Sequence, residues 1–185
     1  MITVAIIGAG PLGRWLAYSA ARAGFRVLLE DVMPSNLHHA REALRRQLGP
    51  EALQQNAGAS PGVVFVATIE DAVREADLVI DCVPDELESK LEIFCLIDRM
   101  APPRTVIATP TTRLSIADLA ACTYRADKCV AIAAEASELT GREAQDESEI
   151  TLRTTAQTSP ATIDLVSSFW QKLELQPKFE LDPVR

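Results

Sequence analysis

Gly8-Ala9-Gly10-Pro11-Leu12-Gly13 follows the apolar run Ile2-Thr3-Val4-Ala5-Ile6-Ile7 and opens a helix-forming stretch. The spacing is G-x-G-x-x-G. On its own that spacing is weak. Between a buried strand and a helix it marks a dinucleotide-binding turn. Gly8 permits the tight turn. Gly10 lets backbone approach a pyrophosphate, and Gly13 lets the helix pack close to the strand. The phosphates then meet a helix N-terminus, where N–H groups are unpaired and the helix dipole is positive. Pro11 suits the first helical position but has no N–H, so Leu12 and Gly13 must supply the amides.

Working outward, the helix runs from Leu12 to about Ala23 and Gly24 ends it. A second strand, Phe25 to Asp31, closes on an acidic residue about 20 positions past the glycines. Asp31 is placed to accept hydrogen bonds from the adenosine ribose. Its charge repels a 2′-phosphate, and Val32 and Met33 offer no compensating cation. The expected cofactor is therefore NAD rather than NADP.

The rest of the chain alternates strands with helices. Pro34-Ser35-Asn36 opens a helix whose stripe is Leu37, Arg41, Leu44 and Leu48. Gln54 to Gly62 reads as a loop. Strands are expected at Val63–Ala67, Leu78–Val83, Thr105–Ala108, Lys128–Ala134, Ile150–Thr154 and Pro177–Leu181. Helices are expected at Ile69–Arg74, with Thr68 and Asp71 capping it, and at Asp85–Met100, Ser115–Ala121 and Pro160–Leu173. Gly141 to Glu149 reads as a polar surface loop. The order implies an α/β doubly wound Rossmann fold with a mainly parallel sheet, residues 1–185 forming a single dinucleotide-binding domain.

Composition narrows the classes. The net charge of −8 opposes binding to nucleic acid. No run approaches the roughly 18 apolar residues of a membrane span. The N-terminal run lacks a basic flank and breaks at Gly8, so it reads as a strand rather than a signal peptide, and a cytoplasmic location is expected. Cys82, Cys95, Cys122 and Cys129 form no C-x-x-C pair and read as small side chains in a reducing compartment. His38 and His39 read as solvated helix residues. Arg41, Arg45 and Arg46 lie beside the expected adenosine site. The acidic run Glu138 to Glu149 reads as a solvated face rather than a metal site.

Four stretches carry a family resemblance. They are Gly8 to Arg14; Ala76-Asp77-Leu78-Val79-Ile80-Asp81-Cys82-Val83-Pro84-Asp85-Glu86-Leu87-Glu88-Ser89-Lys90; Ala108-Thr109-Pro110-Thr111-Thr112-Arg113-Leu114-Ser115-Ile116; and Thr158-Ser159-Pro160-Ala161-Thr162. The chain resembles the N-terminal NAD-binding domain of the L-3-hydroxyacyl-CoA dehydrogenases of fatty-acid metabolism. The resemblance implies NAD(H), an acyl-CoA or small hydroxy acid, and Val83, Asp85 and Lys90 near the cofactor's ribose and nicotinamide. It also implies a histidine that takes the hydroxyl proton while hydride leaves for the nicotinamide, and a glutamate that orients the histidine.

The sequence departs from the family at those two residues. Ala131-Ile132-Ala133-Ala134-Glu135-Ala136-Ser137 matches the histidine-bearing run, and Ala133 stands where the histidine belongs. The partner glutamate falls at Thr151 by counting back from Thr158-Ser159. The family's Asn-Thr-Ser becomes Pro110-Thr111-Thr112, which keeps a hydroxyl at Thr112. The family also has a longer helical hairpin after Asp31 and continues into an all-helical second domain. Glu135, two residues past Ala133, shares its face if the strand extends that far, so Thr112 and Glu135 are the candidate catalytic pair. Three functions stand: a catalytically impaired NAD(H)-binding relative, an active oxidoreductase with a rearranged or partner-completed site, and an interaction module with structural NAD. A homodimer through otherwise covered apolar surface is a further expectation.

Overall fold

The computed structural model describes residues 1–54, 61–141 and 149–182. The expected loop at Gln54–Gly62 and the acidic loop at Gly141–Glu149 lie largely outside the described residues, as do Glu143, Asp146 and Glu147.

Nine strands form one sheet among the described residues: β1 (Thr3–Ile7), β2 (Arg26–Glu30), β3 (Leu53–Gln54), β4 (Gly62–Val66), β5 (Leu78–Asp81), β6 (Val106–Pro110), β7 (Cys129–Ile132), β8 (Glu149–Thr154) and β9 (Gln176–Leu181). Their order is β3-β4-β2-β1-β5-β6-β7-β8-β9. All neighbours pair in parallel except β7 and β8, which are antiparallel. The chain winds outward from β1 to β2, then returns and crosses to β5 on the other side. That reversal opens a crevice at the carboxyl ends of β1, β2 and β5, the place where such sheets bind ligands. The mainly parallel Rossmann sheet is the one expected from the alternating pattern.

The helices are α1 (Pro11–Arg22), α2 (Pro34–Leu48), α3 (Ile69–Val73), α4 (Leu87–Met100), α5 (Ile116–Ala120), α6 (Ala136–Thr140) and α7 (Pro160–Lys172). Alternate strand residues feed two cores. Val4, Ile6, Val27, Leu29 and Ile80 pack with Leu16 of α1 and Phe169 and Trp170 of α7. Ala5, Ile7, Leu28 and Val79 pack with Ala72 of α3, Phe94 of α4 and Leu119 of α5. Burial on both faces explains why these strands read as unbroken apolar runs.

Three expectations change. β7 stops at Ile132 and a short helix, α6, follows, so Glu135 is not on a strand: it caps α6, its carboxylate accepting the Glu138 N–H while the Glu138 carboxylate accepts Glu135 N–H. The buried stripe of α2 is Ala40 and Leu44, while Arg41 is exposed with its guanidinium 4.6 Å from the Phe65 ring centre. Leu53–Gln54 adds a two-residue strand paired with β4. Among the described residues no helix is long and apolar enough to cross a membrane.

Candidate cofactor site

The glycine loop is built into the sheet. Gly8 follows β1 at φ 103°, where side chains are strained, and its N–H donates to the Glu30 carbonyl at 2.8 Å. A Cβ on Gly13 would run into the Gly8 carbonyl oxygen, so glycine is required for α1 to sit this close to β1. Gly10 differs: a Cβ there would meet nothing within 4 Å. The space beside Gly10 is open, as a pyrophosphate needs. Gly10 is the N-cap of α1 and Pro11 its first residue, without any side-chain cap. Leu12 and Gly13 therefore point N–H groups out of the helix start with no acceptor one turn back.

Asp31, directly after β2, anchors this loop. Its Oδ2 accepts Ala9 N–H at 2.9 Å and its Oδ1 accepts Met33 N–H at 2.8 Å, while Asn36 Nδ2 donates to both oxygens. A carboxylate offers about four lone pairs, and these contacts occupy them, so a ribose hydroxyl would have to take the place of one Asn36 contact. Val32 and Met33 beside it are exposed apolar residues. Sequence reasoning did not single out Asn36, which ties α2 to Asp31, or the neighbouring Glu30. Glu30 is 2% exposed, and burial together with Asp31's charge pushes its carboxyl up to about 7. His38 and His39 are exposed on α2.

A cavity of about 340 Å³ extends from the loop toward the other half of the crevice. Its walls are Gly10–Gly13, the turn Cys82–Asp85, the β6 end at Pro110–Thr112, and Ala134–Ala136. Asp85 lines this cavity; its Oδ1 is buried without a hydrogen-bond partner among the described residues, and its Oδ2 lies 3.9 Å from Arg113 Nε. The open space at Gly10, the carboxylate of Asp31 holding Ala9 N–H and the cavity beside the loop fit a dinucleotide. Lys90 does not line the cavity. Its side chain is fully buried, 3.1 Å from Asp81 Oδ2. An aspartate within the apolar run of β5 was itself a signal that a buried partner must exist.

At the far end of the cavity Thr112 donates to Glu135 Oε1 at 2.7 Å. Both residues are exposed. The structure thus brings the two catalytic candidates together, although Glu135 arrives by a helix cap. Ala133 is half-buried, and its N–H donates to the Thr151 carbonyl at 2.9 Å. The antiparallel pairing of β7 with β8 places these two positions side by side.

Residues 3–133 match the NAD-binding domain of 3-hydroxyacyl-CoA dehydrogenase. The chain belongs to this family. A probable 3-hydroxybutyryl-CoA dehydrogenase of Bacillus subtilis is 31% identical over 133 residues, which are 69% of this chain and 46% of that protein. The 5-formyl-3-hydroxy-2-methylpyridine 4-carboxylate 5-dehydrogenase of Mesorhizobium japonicum is 34% identical over 64% of this chain and 39% of its own length. The match thus spans less than half of either relative. Among solved structures, the (S)-3-hydroxybutyryl-CoA dehydrogenase of Ralstonia eutropha superposes with a TM-score of 0.78 at 25% identity, covering 98% of this chain and 64% of that one. The cofactor of this 3-hydroxyacyl-CoA dehydrogenase domain is NAD.

Proposed function

We propose that this chain holds NAD(H) in the glycine-loop crevice but does not by itself carry out its family's oxidation of 3-hydroxyacyl-CoA to 3-ketoacyl-CoA. Gly8, Gly10, Leu12 and Gly13 cradle the pyrophosphate, Pro11 starts the helix, and Asp31 accepts the adenosine ribose. Val83 and Asp85 flank the nicotinamide riboside. Bound nicotinamide would accept or deliver a hydride. One observation supports the loss of the family reaction: Ala133 and Thr151 stand side by side where the resemblance places histidine and glutamate. Neither can take a proton at neutral pH, and general acid–base help is typically worth about 10²–10⁴ in rate.

The test is NADH oxidation with a short 3-ketoacyl-CoA at high protein concentration, with Trp15 on α1 reporting cofactor by its quenching. Quenching without turnover is the expected result. Turnover at a rate typical of enzymes would refute it.

A second reading is favoured by the Thr112–Glu135 hydrogen bond of 2.7 Å at the end of the cavity. Here Glu135 takes the proton of a substrate hydroxyl and Thr112 holds the same oxygen, on an acyl-CoA or a small hydroxy acid. The Mesorhizobium relative is named for a small aromatic carboxylate of this kind. Glu135→Gln separates the readings, because it would abolish such turnover while leaving NADH affinity intact.

A further inference from the structure

We propose that Lys90 is a positioning residue: with Asp81 and Thr109 it fixes the two walls of the cavity that face the nicotinamide half of the cofactor, without touching the cofactor. This rests on NAD(H) occupying that cavity.

The cluster is closed. Lys90 Nζ donates to Asp81 Oδ2 at 3.1 Å, to Thr109 Oγ1 at 2.8 Å and to the Val83 carbonyl at 3.4 Å. These use all three ammonium protons. The Thr109 hydroxyl in turn donates to Asp81 Oδ2 at 2.9 Å, and Asp81 Oδ1 accepts Val83 N–H at 2.9 Å. The Lys90 and Asp81 side chains are both 0% exposed and Thr109 is fully buried. Burial pushes the Asp81 carboxyl up, while the charge of Lys90 and the hydrogen bonds pull it down. A fully satisfied network in a dry setting is rigid, because no water can replace a lost partner.

The connections give the cluster its role. Asp81 ends β5 and holds both polar groups of the Val83 backbone through itself and Lys90. Val83 begins the turn to Asp85, one wall of the cavity. Thr109 is followed directly by Pro110–Thr112, the opposite wall. Lys90 comes from the first turn of α4, outside both walls. Three side chains thus tie β5, β6 and α4 at one point and set how far apart the walls stand. A lysine that bound the cofactor directly would need its ammonium open to the cavity, and this one is enclosed.

The experiment compares NADH with ADP by titration calorimetry. ADP carries the adenosine and pyrophosphate but no nicotinamide riboside. Thr109→Val removes the hydroxyl that joins Lys90 to Asp81, and Thr109→Ser keeps it. Thr109→Val should weaken NADH about tenfold, the loss of roughly one hydrogen bond to a charged group, and ADP less than about twofold. Thr109→Ser should match the wild type. The double variant Asp81→Leu with Lys90→Met removes both charges together and should show the same split. Equal weakening of both ligands, or of neither, in folded variants overturns the proposal. So does loss of the fold in both Thr109→Val and the double variant, which would make the cluster purely structural. A wild type that binds neither ligand would instead remove the cofactor reading on which the proposal stands.

Discussion

Glu30→Gln should flatten the pH dependence of stability. Glu30 ends β2 at 2% exposure, and its Oε1 is buried without a hydrogen-bond partner among the described residues. Burial first, and the Asp31 charge second, push the carboxyl from 4.5 up to about 7. Between those values the folded chain keeps a proton that the unfolded chain has released. The folded state then binds more protons, so raising the pH through this window favours unfolding. Moving from 4.5 to about 7, at about 1.4 kcal/mol per pH unit, amounts to about 3 kcal/mol lost by pH 8. For a chain of 185 residues that is roughly 6–12 °C in Tm. Glutamine does not titrate, but its amide is also a buried polar group, so absolute stability at one pH decides nothing. The deciding quantity is the stability change between about pH 5 and about pH 8, measured by urea unfolding of both proteins. The wild type should lose about 2.5 kcal/mol more than the variant over this range. Parallel profiles would refute the argument, because they would mean that Glu30 ionises in the folded state as it does in water.

The two glycines of the loop should respond in opposite ways. Gly13→Ala drives a Cβ into the Gly8 carbonyl and should cost about 2–3 kcal/mol in unfolding experiments. Gly10→Ala has room and should leave Tm unchanged, yet it should weaken NADH in a fluorescence titration because its methyl enters the pyrophosphate's space. If Asp31 binds the adenosine ribose as proposed, Asp31→Asn should raise the NADH Kd about tenfold and narrow the gap to NADPH, since its negative charge is gone. Ala133→His combined with Thr151→Glu should give measurable reduction of a short 3-ketoacyl-CoA where the wild type gives none. A double variant that binds NADH normally without turnover would place the deficit outside this strand pair.

The sequence revealed features whose geometry is forced locally. A glycine that must abut a carbonyl, a proline at a helix start and an acid closing an apolar strand each leave a pattern within a few residues. Counting back from Thr158-Ser159 put the partner-glutamate position at Thr151, and a backbone hydrogen bond joins Thr151 to Ala133, the position matched to the histidine. Features set by packing at a distance were less visible. Helix α6 spans five residues, too few for a period, and its cap is a glutamate rather than a serine or threonine. Nothing in Glu135-Ala136-Ser137 says that the strand has ended. The strand direction of β8 is also silent in sequence, because burial alternates in the same way in either direction. The resemblance placed Lys90 near the cofactor, and only Asp81 inside β5 hinted that its side chain is enclosed in the protein instead.

The two halves of the site therefore differ in what they can lose. The cofactor cradle is tied into the core: Gly13 touches the Gly8 backbone, Asp31 holds Ala9, and Asp81 is matched by Lys90 and Thr109. A change at any of these leaves a clash or an unpartnered buried group, so the fold resists it. The corner where the resemblance places the proton-transfer pair is built otherwise. Ala133 and Thr151 are half-buried at the open end of β7 and β8, and their mutual hydrogen bond runs through backbone atoms that any side chain supplies. Replacing histidine and glutamate there with smaller residues leaves the strand pairing intact and uncovers no core. Alanine at 133 and threonine at 151 thus keep the backbone pairing of β7 and β8 while neither side chain is a base at neutral pH.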